Sequence, residues 1–476
     1  MITTFSRRPS VAGLRAFAAG LAAALFLAGC FGGGDDGTVS SPAEVRYAYV
    51  VLGPNGQPVA RAITQAQTCP AIAFDGGGPV QMTLRAPAQV IPPRPTAYEP
   101  ANTSPVEFPV ATCDLAIPAG TARATLGERV LPLPKRHVRK ILLIADTGCR
   151  MKSTDALYQA CNDLAQWPFK PVADVAAGLA PDLVVHIGDY HYRETSCPVG
   201  SACATITTFG FGWASWEPDF FAPAARLLAA APWVMVRGDH ETCDRGGQGW
   251  WRMLDPRPLV PAQDCNLAAN DNVGNYSDPY VVPVDDDTAL VVYDSSNVAS
   301  KPTPGFQFEK YTEQARAGFT LAASWPHALF LNHQPILGFN SNGTGKAQPG
   351  NEMLQGVLEP LYGDALFPPG VDAVLSGHVH MMQIVAYATA QPPTFIAGNG
   401  GTQLVPLFTD IKDIPPPYRK ATMSQFLQAE TFGFMTMERS GAGWTVTGYD
   451  QHGNVLTTCA AAARKAACTP LAAGGA

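Results

Sequence analysis

The sequence predicts an α/β fold with parallel βαβ units, preceded by a small β region. Three observations lead there. From Lys140 onward, short apolar runs of strand length alternate with helical stretches, beginning with Lys140-Ile141-Leu142-Leu143-Ile144-Ala145. Several of these runs stop at a small group of carboxylates or imidazoles, often beside a Gly. Before Lys140 the texture differs, with brief alternating stretches broken by Gly and Pro. Strand, helix, strand in succession implies parallel pairing.

Taken in order, residues 1–30 read as an export signal. Arg7, Arg8 and Arg15 supply a positive start, and the apolar stretch to Phe26 is too short for a membrane span. Ser6-Arg7-Arg8 is only a faint twin-arginine hint. The stretch ends in Leu27-Ala28-Gly29-Cys30, which resembles the lipobox of bacterial lipoproteins. That resemblance makes Cys30 the lipidated first residue; the alternative is an ordinary secretory signal with a chance Cys. Residues 31–44 are rich in Gly, Asp and Ser and read as a flexible tether. The expected location is therefore the cell envelope, lipid-anchored and facing the periplasm or the outside, with the outer membrane favoured. Export implies an oxidising compartment. Eleven cysteines less Cys30 leave an even number. Pairing neighbours gives Cys69–Cys113, Cys149–Cys161, Cys197–Cys203, Cys243–Cys265 and Cys459–Cys468, one of many connectivities the sequence allows.

Residues 45–137 read as a small β-rich domain without a cluster of ligand-type residues. Residues 138–462 form the second domain, and 463–476 a loose tail. Helical stretches are expected at 171–179, 223–230 and 308–322. Strands are expected at 182–187, 233–236, 288–293, 327–331 and 371–375, with hairpins over 432–459. The insertion from Glu194 to Trp216 should rim the cleft. A length of 476 residues, 46% hydrophobic and 15% charged, is globular. The net charge of −7 gives no nucleic-acid footprint.

Chemistry gathers at five strand ends: Asp146, Asp189 with Tyr192, Asp239-His240-Glu241, His333, and His378 with His380. Of nine His, four sit there. Any one motif is weak, since a lone His is usually a core residue. Together, carboxylates and imidazoles suit first-row transition metals. Ligands in α/β folds bind at the carboxyl ends of strands. His186, mid-strand, reads as a core or supporting residue.

This set resembles the calcineurin-like metallophosphoesterase superfamily, whose pattern is Asp-x-His, Gly-Asp, Gly-Asn-His-Asp/Glu, a later His and Gly-His-x-His. Gly377-His378-Val379-His380 matches intact. The resemblance covers roughly Lys140 to Gly401 and implies a four-layer α/β/β/α sandwich with two metal ions between strand ends. Two departures matter. Gly148 stands where many members have a His ligand, as in the purple acid phosphatase branch, which compensates with Gly-Asp-x-x-Tyr. Gly188-Asp189-Tyr190-His191-Tyr192 fits that branch. The first site implied is Asp146, Asp189, Tyr192 and His380, holding Fe(III) in that branch; the alternative is that Tyr192 packs and His191 ligates. Asp239 replaces the usual Asn, adding charge and removing an amide donor. The second site implied is Asp189, Asp239, His333 and His378, for Fe(II), Zn or Mn.

By the same resemblance, His240 contacts substrate or protonates the leaving group, Glu241 orients it, and the nucleophile is a metal-bound hydroxide. Arg150, Arg193 and Arg237 flank the motifs as candidate phosphate ligands, or as partners of nearby carboxylates. The Cys149–Cys161 and Cys243–Cys265 bridges would brace the loops of Asp146 and Glu241. The expected activity is hydrolysis of small phosphate monoesters. The alternatives are a phosphodiesterase or nucleotidase, or a metal-binding lipoprotein of weak turnover.

Overall fold

The structure, a computed structural model, describes residues 44–92, 94, 106–409, 411 and 414–471. The signal, Cys30 and all of the tether except Glu44 lie outside the described residues. In chain order, the N-terminal region supplies β1 (Val45–Leu52), β2 (Pro58–Thr64), β3 (Thr83–Ala86) and β4 (Ala111–Ala116). Then come β5 (Lys140–Ile144), α1 (Phe169–Gly178), β6 (Leu183–Ile187), α2 (Ala222–Ala230) and β7 (Trp233–Val236). The second half starts with β8 (Tyr280–Pro283), β9 (Thr288–Val292), α3 (Phe306–Ala323), β10 (His327–Leu331), α4 (Glu352–Tyr362) and β11 (Val371–Ser376). It continues with β12 (Met382–Tyr387), β13 (Thr394–Ala397) and β14 (Met423–Ala429). Four antiparallel strands close the chain: β15 (Gly433–Ser440), β16 (Gly443–Asp450), β17 (Val455–Ala462) and β18 (Lys465–Cys468).

These strands make two large mixed sheets. The first has 11 strands in the order β18-β17-β16-β15-β5-β6-β7-β1-β2-β4-β3, with β5, β6 and β7 parallel. The second has 7 in the order β8-β9-β10-β11-β13-β12-β14, with β9, β10, β11 and β13 parallel. Alternate side chains explain the layering. Ile141 and Leu143 of β5 face Leu329, Leu331 and Leu375 of the second sheet in one core between the sheets. Leu142 and Ile144 turn the other way, onto Val172 and Ala176 of α1 and Leu227 of α2. On the far side, Val291 and Phe330 meet Ala315 and Phe319 of α3 and Leu354 and Leu358 of α4. Two packed sheets, each with helices outside, are the four layers expected.

Two boundaries differ from expectation. The small β region is present, but it is fused to the main sheet, because β1 lies parallel beside β7 with Val51 opposite Trp233. The supposed tail from 463 begins with a strand: β18 pairs with β17 and is tied to it by Cys459–Cys468. All five neighbour bridges are present. Among the described residues, no helix is long and apolar enough to cross a membrane.

Candidate dimetal site

The parallel strands stop at one edge of the sandwich, and their next residues turn into a single cleft of about 660 Å³. The turns are abrupt. Asp146, Asp189 and His378 all adopt left-handed backbone, with φ of 56°, 60° and 71°. Non-Gly residues enter that region at a cost of roughly 1–3 kcal/mol and cluster at functional sites. Close backbone approach does the rest. A Cβ on Gly238 would lie 2.1 Å from Asp189 Oδ1, and one on Gly148 would lie 2.7 Å from the Tyr192 nitrogen. A side chain at 148 would therefore displace the loop that delivers Tyr192.

Around Tyr192 four donors meet. Its hydroxyl is 3.0 Å from Asp146 Oδ1, 2.7 Å from Asp189 Oδ2 and 2.9 Å from His380 Nε2. Burial, and then the charges of Asp189 and Asp146, push this phenol well above its usual range. His191 is not part of this group. It is buried against Trp216 and Phe211, so the Tyr, not the His, enters the cleft. On the other side of Asp189, one ligand-type atom from each of Asp189, Asp239, His333 and His378 lies within 4.8 Å of the others. Asp189 Oδ2 belongs to both groups, being also 3.2 Å from His333 Nε2.

This donor set fits two cations. His333 Nδ1 lies 2.7 Å from the Ile187 carbonyl oxygen and His380 Nδ1 3.0 Å from that of Gln403, nearer than the Arg150 guanidinium at 3.3 Å, so each donates its Nδ1–H and turns Nε2 to the cleft. His333 Nε2 is buried with no aligned hydrogen bond. It sits 3.2 Å from two carboxylates, Asp189 and Asp239. Against burial, those carboxylates hold its imidazole well above the usual range. A cation is the natural occupant of such a nest.

Three expected roles are corrected. Glu241 does not touch His240. Its carboxylate points inward and accepts N–H bonds from Asp189, Tyr190 and Gly238 at 2.9–3.0 Å, bracing the turn that presents Asp189. Burial and the nearby Asp189 charge still push it up, to about 8. Arg193 is buried on Asp219 at 2.9 Å and over Trp167. Arg237 is buried 3.6 Å from the Asp294 carboxylate, on the Glu241 and Gly274 carbonyls and over Trp251. For both, the pairing alternative holds, because each folds back behind its loop. Only Arg150 reaches the cleft, 3.3 Å from His380 Nδ1 and paired with Asp155. The insertion does not rim the cleft either. The rim is built from residues 150–157, 341–343 and 403–406. His186 behaves as a supporting residue, buried and 2.9 Å from Thr147 Oγ1.

Sequence reading missed three groups. Asp219 accepts from the Cys149 and Tyr192 nitrogens, at 2.8 and 2.6 Å, and so ties the Asp146 and Asp189 loops together. Glu194 Oε1 lies 3.0 Å from His240 Nδ1, where Glu241 was expected. Arg245 contacts Glu194, Asp239 and His240 at once. The only hint of Arg245 was its place inside the loop closed by Cys243–Cys265.

A family model described as calcineurin-like phosphoesterase matches residues 139–382. The chain belongs to that family. It is a metal-dependent phosphoesterase, in a family that uses a dinuclear metal centre and acts on small phosphoesters. Among solved structures, a purple acid phosphatase (PPD1) from yellow lupin, Lupinus luteus, is 14% identical at a TM-score of 0.51, over 89% of this chain and 74% of that one. That likeness shows the fold. PhoD is 12% identical at a TM-score of 0.48, over 90% and 93% of the two chains. A dimetal phosphatase from Danio rerio is 11% identical at 0.35, over 71% and 100%. Among curated proteins, none matches this sequence.

Proposed function

We propose that this phosphoesterase is an exported phosphate monoester hydrolase. The observation that carries the reading is Asp189 Oδ2, shared between the Tyr192 group and the His333 group. One ion would be held by Asp146, Asp189, Tyr192 and His380, the other by Asp189, Asp239, His333 and His378. When bound, such a pair supplies Lewis acidity and lowers the pKa of bound water to roughly 7. The chain's own groups do the rest. His240 lines the cleft and is positioned to hydrogen-bond the ester. Arg150 and Lys152 line its mouth and offer charge to a phosphate dianion. Asp155 pairs with both, which tempers that charge and favours, as a second reading, a diester with one negative charge. The deciding experiment is turnover of a simple aryl phosphate against a bis-aryl phosphate, with metals assayed on the same sample. Faster diester turnover would replace the monoester reading. No turnover on either, with two metals bound, would favour a metal-binding protein of weak activity.

For the Tyr192 ion we propose Fe(III), because phenolate and two carboxylates are hard anionic donors. The native protein should be coloured by a phenolate-to-metal band, and Tyr192→Phe should lose that band. A colourless, fully active zinc or manganese protein overturns the assignment. Lipid anchoring is proposed on the lipobox at Cys30, and the five disulfides support export. Cys30→Ser should leave the chain unacylated. Normal acylation of that variant would sink the anchor.

A further inference from the structure

Arg245 is fully buried, yet its guanidinium serves polar groups on three residues. Nε donates to Glu194 Oε1 at 2.6 Å. One terminal nitrogen donates to Asp239 Oδ2 at 2.9 Å and to the Asp239 carbonyl at 3.0 Å. The other lies 2.6 Å from His240 Nδ1. A compact turn brings it there: Gly246 N–H donates to the His240 carbonyl and Arg245 N–H to that of Thr242, both at 2.9 Å. Arginine has no acceptor. Glu194 Oε1 also lies 3.0 Å from His240 Nδ1, but it already accepts from Arg245 Nε and the guanidinium is the closer neighbour, so Nδ1 accepts from Arg245 and the ring proton sits on Nε2. That nitrogen lies 3.9 Å from Asp189 Oδ2.

The consequence for Asp239 is as specific. With Oδ2 held by Arg245, only Oδ1 faces His333 Nε2 at 3.2 Å and His378 Nδ1 at 2.9 Å. Two carboxylates, Asp189 and Asp239, would otherwise confront an incoming phosphoryl group in a cleft where Asp189 is buried and Asp239 only partly exposed. Like charges there cost far more than in solvent.

We propose that Arg245 is a positioning residue that makes Asp239 a single-oxygen, charge-compensated ligand and holds the His240 proton on the substrate side. It lets a carboxylate occupy this ligand position without repelling phosphate. The role rests on the dimetal reading above.

The test uses the full-length metal-loaded protein, with Mn(II) or Zn(II) alone and inorganic phosphate as probes. In Arg245→Gln, the second metal should bind at least as tightly as in the native protein. Phosphate should inhibit about tenfold or more weakly, because Asp239 regains its full charge. Adding Asp239→Asn should restore phosphate inhibition to within about threefold of native. A loss of packing alone would weaken both probes and would not be rescued. Unchanged phosphate inhibition in the single variant, or no rescue in the double, overturns the proposal. Should Arg245→Gln not fold, Arg245→Lys keeps the charge without the fork. It should bind phosphate nearly normally, yet lose about tenfold more kcat on an alkyl than on a nitrophenyl phosphate. Equal losses on the two esters overturn the His240 half. Fewer than two metals per native chain would sink the dimetal reading and this role with it, and the stoichiometry alone identifies that failure.

Discussion

Asp189→Ala is expected to reduce kcat/KM to background, a fall of at least about 10⁴-fold or roughly 5.5 kcal/mol of transition-state stabilisation. The geometry makes this the largest single effect in the chain. Asp189 Oδ2 is the carboxylate oxygen that reaches both Tyr192 at 2.7 Å and His333 at 3.2 Å. Its Oδ1 accepts the His240 backbone N–H at 2.9 Å, so the same side chain seats the substrate-facing loop. Stability should change far less. Ala in the left-handed backbone at 189 costs about 1–2 kcal/mol, but the cores on both faces of β6 are untouched. The measurement is metal per folded chain alongside kcat/KM. Two metals retained, with activity within tenfold of native, would remove Asp189 from its bridging role. Asp189→Asn is the useful companion, since it keeps an oxygen for the His240 N–H while losing the charge.

The parts of this site that the sequence reveals are those that act locally. Each ligand-type residue follows its own strand within a few positions, so Asp146, Asp189, Asp239, His333 and the His378–His380 pair are visible one motif at a time. The sheet order then brings them together, because β5, β6 and β7 are parallel neighbours in one sheet and β10 and β11 in the other. The link between Gly148 and Tyr192 is also local at each end, and a hypothetical side chain at 148 explains it sterically. What escapes is side-chain direction after an abrupt turn. Glu241 adjoins His240, yet a single 3₁₀ turn sends its carboxylate back to the Asp189 and Tyr190 nitrogens. Arg193 and Arg237 flank the motifs and likewise fold away. Glu194 and Arg245 escape for a different reason: they meet across 51 positions, and no periodicity reports such a contact. In the fold, α4 is hidden by Gly356 and Pro360, which break a helical reading, although Asn351 caps it and Met353, Leu354, Val357 and Leu358 bury one face.

His240→Asn should separate hydrogen-bond donation from metal binding. The imidazole lies over the Tyr192 ring with centroids 3.7 Å apart, while its Nε2 is 3.9 Å from Asp189 Oδ2. It is thus beside the donor set without joining it, and both metals should remain. Burial, then the Arg245 charge, hold the imidazole well below its usual range, so it is neutral and offers Nε2–H as a donor. A neutral donor of this kind stabilises charge that develops on an ester oxygen, and removing one such donor costs about 10²–10³ in kcat. The loss should depend on the leaving group. An alkoxide builds up charge in the transition state and needs the donor, so an alkyl phosphate should suffer the full loss. A nitrophenolate carries its own charge well and should lose about tenfold or less. KM should change little, because the interaction strengthens only as the bond breaks. A loss that is equal for both esters, with metals retained, would make His240 a contact to the phosphoryl group and not to the leaving oxygen. A loss of metal would instead make it a support for Tyr192, acting through the stacked rings.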